Sequence, residues 1–232
     1  MKDTDFFLKL NIPNLPEMQK EVLDYLKKHP EHDLSGTLDS ETWTRLPNDR
    51  FPITHSFVSA RSKNRIYETA IRTVPPNFST DIHVDGVKED PNHLYTNQIK
   101  KAVSEQPDRS FDDIDWEIYP PNSQYVLIIP ISNYENSINY WYNASDKAGK
   151  EITHYYEREE FPYKFWINFY TEADTSVPIE EVLIDKPTFI KSDIYHNVKN
   201  YGTATRIVLT MRILEYKKYS SLDQFFDYTG LV

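Results

Sequence analysis

Two hydrophobic rhythms divide the chain. Over LPEMQKEVLDYLKKH (residues 15–29) apolar side chains recur at Met18, Val22, Tyr25 and Leu26, the spacing of one helix face. Pro16 suits the first turn of that helix, where a missing N–H costs nothing, and Pro30 stops it. The stretch DSETWTRL (39–46) predicts a second helix, capped by Ser40 or Asp39 and with Trp43 on its buried side. From about residue 53 the rhythm becomes period two, in runs of β-branched and aromatic residues separated by turn clusters. Strands are predicted at about 65–74, 79–87, 123–132, 136–143, 163–170, 180–184, 187–198 (with a break) and 205–215.

Eight short strands behind a helical flank predict a mainly β protein, a sandwich or jelly roll. No linker divides the chain, so residues 1–232 read as one domain. Its core spans about 65–215 and its N-terminal helical flank about 1–50. Two long excursions, at about 88–118 and 144–162, interrupt the strand pattern and are placed where loops commonly cover a site.

Composition narrows what such a fold does. Lys plus Arg is 26 against 36 Asp plus Glu, a formal net charge of −10. No block of basic residues is long enough to offset it locally, which argues against nucleic acid and anionic membranes as partners. With no cysteine, disulfides and thiolate metal ligands are both excluded. The start, MKDTDFFLKL, carries early acids and no apolar core, and no run of about 18 apolar residues occurs, so a cytoplasmic location is expected.

Candidate chemistry begins in STDIHVDG (79–86). Positions i and i+2 of a strand share a face, so His83 and Asp85 project together while Ile82 and Val84 face the other way. Alone, the pair also fits polar positions on an edge strand. A second cluster lies in PTFIKSDIYHNVKNYGTATRIVLTMRI (187–213). There His196 closes a short strand, a turn runs through Asn200 and Gly202, and a long strand opens on Arg206. Ile207, Leu209, Met211 and Ile213 form one face of that strand, which leaves Arg206, Val208, Thr210 and Arg212 on the other. An arginine opening the inner face of a core strand is costly to bury unless it meets an anion. Arg212 reads as a structural ion pair or a rim residue. Asn139 and Trp141, on one face of NYWYN, are further pocket candidates. His29, His32, His55, His93 and His154 read as solvated, in loops, insertions or beside the first helix.

HVDG, YHNVKN and RIVLTMR together resemble the iron(II) and 2-oxoglutarate-dependent oxygenases. The family pattern is H-x-D on an early strand, a distal histidine late in the fold, and a basic residue about ten positions beyond it. His196 and Arg206 keep that spacing. The likeness extends over about residues 65–215 and is closest to little-studied members from marine phages and bacteria, with YVLIIPISNYENSINYWY adding to it. Two features depart from the pattern. The interval from His83 to His196 is longer than in compact members, which the two excursions account for. Lys186-Pro187 stands where a glycine usually precedes the strand leading to the distal histidine.

The resemblance implies a double-stranded β-helix, cupin-like, with His83, Asp85 and His196 as metal ligands. Two imidazoles and one carboxylate on one face of iron(II) leave adjacent positions open. It further implies 2-oxoglutarate as cosubstrate, held at its far carboxylate by Arg206 with Thr210 nearby, and dioxygen and an unidentified small molecule or protein side chain as the other reactants. The carboxylate at Asp85 points to hydroxylation rather than halogenation, and no catalytic group beyond the metal ligands is expected. Two alternatives stand beside this reading: a non-catalytic jelly-roll module for binding or structure, and a cupin-like metalloenzyme that does not use 2-oxoglutarate. The excursions at 88–118 and 144–162 are expected to flank the mouth of the barrel and touch substrate.

Overall fold

The fold is taken from a computed structural model that describes residues 6–33, 42–62, 66–84, 125–142, 151–158, 161–170, 177–192 and 194–213. In chain order the elements are β1 (Phe7–Lys9), α1 (Leu15–Lys28), β2 (Thr42–Leu46), α2 (Pro52–Ser62), β3 (Ile66–Val74), β4 (Phe78–Ser79) and β5 (Ile82–Val84). They continue with β6 (Tyr125–Ser132), β7 (Ser137–Tyr142), β8 (Glu151–Arg158), β9 (Phe161–Tyr170), β10 (Pro178–Leu183), β11 (Thr188–Lys191), β12 (His196–Asn200) and β13 (Arg206–Ile213). One sheet, A, runs β1-β11-β6-β13-β3-β2; the other, B, runs β10-β7-β12-β5-β9-β8, with β4 paired to β12. All of the pairings are antiparallel.

Eight core strands wind between these sheets, with β7 and β10 paired to each other in B where the winding turns back. β3, β6, β11 and β13 lie in A; the β4–β5 pair, β7, β10 and β12 lie in B. This is the double-stranded β-helix, a mainly β, cupin-like jelly roll with flanking N-terminal helices. Period-two burial explains why it closes. Leu127, Ile129, Leu209 and Met211 join one apolar cluster, while Val126, Ile128 and Val208, one position out of step, join another with Trp141 and Val182 from sheet B. The first cluster seats α1, whose Met18, Val22 and Leu26 are buried at four-residue spacing. Burying such side chains is worth about 1.5–3 kcal/mol each.

Pro130 sits inside the central strand β6, where a proline lacks its ladder donor. Its carbonyl accepts from Gln19 Nε2 of α1 at 2.9 Å. The β13–β6 register shifts between Ile207 and Val208, beside the Pro130–Val208 pair, as expected of a proline tolerated at a bulge.

Three expectations need correction. Residues 42–46 are strand β2, not the helix predicted for 39–46. They extend the edge of β3, with Trp43 opposite Arg72, and β-favouring Thr42, Trp43 and Thr44 fit that ladder. Residues 52–62 form α2, where the period-two reading had already begun. Its first turn is satisfied from far away: Glu21 of α1 accepts from the backbone N–H of Ile53 at 2.7 Å and of Thr54 at 3.1 Å, and from the Thr54 hydroxyl at 3.0 Å. Within the excursion expected at 144–162, residues 151–158 are strand β8, paired with β9 along the edge of β5. The excursion at 88–118 lies outside the described residues. Among the described residues no helix is long and apolar enough to cross a membrane.

Candidate metal and anion pocket

Strand pairing brings the two distant histidines together. β12 pairs antiparallel with β5 so that His196 lies directly opposite His83, and the ring centroids are 4.6 Å apart at 49°. The break between β4 and β5 is bridged by Thr80. Its N–H donates to the Val198 carbonyl at 2.9 Å, and its hydroxyl accepts from the Val198 N–H at 2.9 Å. The side chain thus continues the ladder where the backbone turns away, which keeps β5 in register with β12.

Each imidazole is oriented by the backbone two residues before it. His83 Nδ1 bonds the Asp81 carbonyl at 2.7 Å, and His196 Nδ1 bonds the Ile194 carbonyl at 2.8 Å. A carbonyl oxygen only accepts, so in both rings Nδ1 carries the hydrogen and the lone pair lies on Nε2. This carbonyl-to-histidine arrangement commonly fixes the tautomer of a metal ligand. The paired imidazoles therefore fit a divalent transition metal. Asp85, the third expected ligand, lies outside the described residues.

Arg206, 2% exposed, lines the same pocket as His83 and His196. Its Nη2 donates to Asn139 Oδ1 of β7 across the two sheets at 3.4 Å. The start of β13 is held by a network of amides. Asn200 Nδ2 donates to the carbonyls of Val74, Pro75 and Ala204 at 2.9–3.0 Å, while Asn200 Oδ1 accepts from the Gly202 N–H at 3.0 Å. Asn133 Nδ2 donates to the Thr205 carbonyl at 2.9 Å. A Cβ built on Gly202 lies 3.1 Å from Asn200 Oδ1, so this turn suits glycine.

The other candidates fall in different places. Thr210 lines the pocket, but its hydroxyl donates to the Ala70 carbonyl at 3.2 Å, so what it offers a ligand is lone pairs. Arg212 is the structural pair expected of it: its Nε lies 3.3 Å from Glu68, which also meets Arg45 at 3.1 Å. Asn139 is a pocket residue, 1% exposed, and its Nδ2 has no hydrogen-bond partner among the described residues. Trp141 is core, fully buried, with its indole N–H donating to the Lys191 carbonyl at 2.9 Å.

Sequence reasoning missed Arg72 of β3. It lines the pocket and lies over the Trp43 ring, 4.5 Å from its centroid. The signal was present in TAIRTV: Ala70, Arg72 and Val74 alternate with Ile71 and Thr73, so the arginine shares a face with small and apolar residues, as Arg206 does.

A second group of ligating side chains lies away from the barrel. His29, Glu31 and His32 follow the end of α1, with candidate ligand atoms within 4.8 Å of one another. They are not simply solvated. Both histidine rings stack on Tyr25, at 4.4 and 5.7 Å, His32 Nδ1 bonds the Tyr25 hydroxyl at 2.6 Å, and His29 Nδ1 bonds Glu31 at 3.1 Å. His55 lies on α2 rather than in a loop, and His154 on β8, within the insertion expected at 144–162; His93 lies outside the described residues.

No protein-family model matches the chain, and no curated protein does. Solved structures do. The non-heme alpha-ketoglutarate-dependent carbocyclase SnoK from nogalamycin biosynthesis matches at 11% identity and a TM-score of 0.47, over 95% of this chain and 85% of that one. A single-substitution variant of oxalate decarboxylase from Bacillus subtilis matches at 12% identity and a TM-score of 0.31, over 82% of this chain. The chain spans only 30% of that enzyme's length. At these identities and scores the likeness says nothing about chemistry.

Proposed function

We propose that the protein is an iron(II)- and 2-oxoglutarate-dependent dioxygenase that hydroxylates a small molecule or a protein side chain. The observation that carries this reading is the meeting of His83 and His196 on paired strands, each with its lone pair on Nε2, in a pocket that also holds Arg206. His83 and His196 would hold the metal, with Asp85 as the third ligand on the strength of its i+2 position. Bound there, iron(II) would activate dioxygen for the oxidative decarboxylation of 2-oxoglutarate to succinate and carbon dioxide.

The chain's own residues do the rest. The Asp81 and Ile194 carbonyls hold the imidazole planes. Arg206 supplies the counter-charge for the cosubstrate's far carboxylate, a planar fork suited to bidentate bonding. Val126, Ile128, Ile190 and Val208 line the same pocket with hydrocarbon, which keeps water from competing for that pair.

The test is succinate formation from 2-oxoglutarate by purified protein with iron(II) in air, followed by proton NMR. We expect slow conversion without substrate and none in His196→Ala. Metal binding without conversion, with Arg206→Met behaving as wild type, would move the assignment to a metalloenzyme that does not use 2-oxoglutarate.

A further inference from the structure

The inner face of sheet A near β13, β3 and β2 is rich in guanidinium groups. Arg45, Arg72, Arg206 and Arg212 all lie there, and they divide into two pairs. Arg45 and Arg212 meet opposite oxygens of Glu68, at 3.1 and 3.3 Å. Arg72 and Arg206 line the pocket, Arg206 with its Nη2 on Asn139 Oδ1. In the β13–β3 register Arg206 faces Val74 and Val208 faces Arg72, so the two arginines are diagonal neighbours on one face of adjacent strands. That diagonal places Cα atoms roughly 7–8 Å apart, within reach of two long side chains converging on one small group.

Two more features tie this wall to a ligand. Trp43, opposite Arg72 on β2, lies under the Arg72 guanidinium at 4.5 Å and the Arg45 guanidinium at 4.7 Å, which fixes the direction of the arginine. From the other sheet, Asn139 lines the same pocket; its buried Nδ2 has no hydrogen-bond partner among the described residues, and its Oδ1 accepts from Arg206. An unsatisfied buried donor is costly unless a ligand supplies the acceptor.

We propose that Arg72, Arg206 and the Asn139 amide form one three-donor cradle for a single carboxylate, so that the pocket selects a diacid over its methyl-ended analogue. This rests on the reading of the pocket as a 2-oxoglutarate site and adds a second arginine to it. Trp43 is a positioning residue, acting through Arg72.

The experiment uses a pair of ligands that cannot turn over: glutarate, and valerate, in which a methyl replaces one carboxylate. Their binding to the full chain is measured by calorimetry and by ligand-induced shift of the melting temperature. Wild type is expected to prefer glutarate by about tenfold or more, the scale of one charge-assisted bond set. Arg72→Met should lose most of that preference with valerate binding unmoved, Arg72→Lys should restore part of it, and Asn139→Leu should weaken glutarate alone. The losses in Arg72→Met and Arg206→Met should sum to more than the loss in the double variant, because both groups grip one carboxylate. Equal losses for both ligands in Arg72→Met, no loss, or strict additivity overturns the cradle. If Met at 72 does not fold, the Lys and Asn139→Leu variants still decide it. Arg72-dependent glutarate binding without succinate formation from 2-oxoglutarate sustains the cradle and rejects the oxygenase. Succinate formation untouched in Arg72→Met at limiting cosubstrate does the reverse.

Discussion

The two faces of β13 are equally buried and do different work. All eight residues from Arg206 to Ile213 are buried. Toward α1 the strand presents Ile207, Leu209, Met211 and Ile213; toward the barrel it presents Arg206, Val208, Thr210 and Arg212. Burial therefore does not separate the two faces, whereas polarity does, because a desolvated charge persists only where something repays its lost hydration. For Arg212 that is Glu68. Arg206 donates to Asn139 Oδ1, and on the reading proposed above a ligand carboxylate adds to that bond.

The comparison breaks most sharply if the two faces are altered one at a time. Arg206→Met is expected to weaken 2-oxoglutarate binding by roughly a hundredfold or more, the scale of removing one partner from a buried charge pair at about 3–5 kcal/mol. Iron(II) affinity should change little, whereas His196→Ala should damage the metal site directly. Anaerobic titration of 2-oxoglutarate into the iron(II)-loaded variants, followed by the weak visible band of the chelate, separates the two. Leu209→Ala, one face over, should cost about 2–5 kcal/mol of stability through lost transfer energy and the cavity left against α1. Urea unfolding measures that loss. Affinity per folded molecule should hold, and a fall in affinity larger than the loss of stability would show that the faces are coupled.

The same contrast explains what could be read from the chain. Apolar β-branched runs in IVLTMRI and YVLIIPIS marked both central strands of sheet A, and Met18, Val22 and Leu26 marked α1, because their burial shows in the local pattern. Two elements were misread because their stabilising partners come from elsewhere. The first turn of α2 is closed by a carboxylate on α1, and β2 is a strand because β3 offers it an edge. β8 and β9 form a hairpin whose place beside β5 no local pattern announces. Among the pocket residues, His83, His196 and Arg206 were picked out through strand position and spacing, while the alternation in TAIRTV that marks Arg72 was passed over, and only the register sets it diagonal to Arg206. Thr210 lies on the pocket face as its alternation implied, while the donation of its hydroxyl to the Ala70 carbonyl depends on the neighbouring strand.

A smaller effect is expected where the two helices join. Glu21→Ala leaves the Ile53 and Thr54 N–H groups without their carboxylate and should cost about 1 kcal/mol, in the range of a lost helix cap. Hydrogen exchange is the direct measure: those two amides should exchange faster while the amides of β13 stay protected. Uniform acceleration across the chain would instead make Glu21 part of the global core.

The outer face of sheet B gives the last and smallest contrast, since it combines apolar burial with hydroxyls. Tyr140 and Tyr142 alternate with the pocket-facing Asn139 and core Trp141, and cluster with Ile82 and Ile138. The Tyr142 hydroxyl donates to Asn197 Oδ1 at 3.0 Å, and Asn197 in turn bonds Ser79 and Thr80 beside β5. Burial, reinforced by Tyr201, pushes the Tyr142 phenol up to about 12. Tyr140 moves the same way, through burial and its hydroxyl bond to Tyr201. A phenol whose folded value is raised contributes stability that is fully present below its unfolded value of about 10 and is lost as pH rises through the folded one. Stability of the wild type should therefore decline between pH 10 and about 12, as the unfolded chain ionises first. In Tyr142→Phe that decline should be shallower, with Tyr140 left to supply the remainder. At neutral pH the variant should be weaker by about 0.5–1.5 kcal/mol for the lost Asn197 bond. Urea midpoints at neutral pH and across the alkaline range give both quantities, and an alkaline slope unchanged by the substitution would place the titrating group elsewhere.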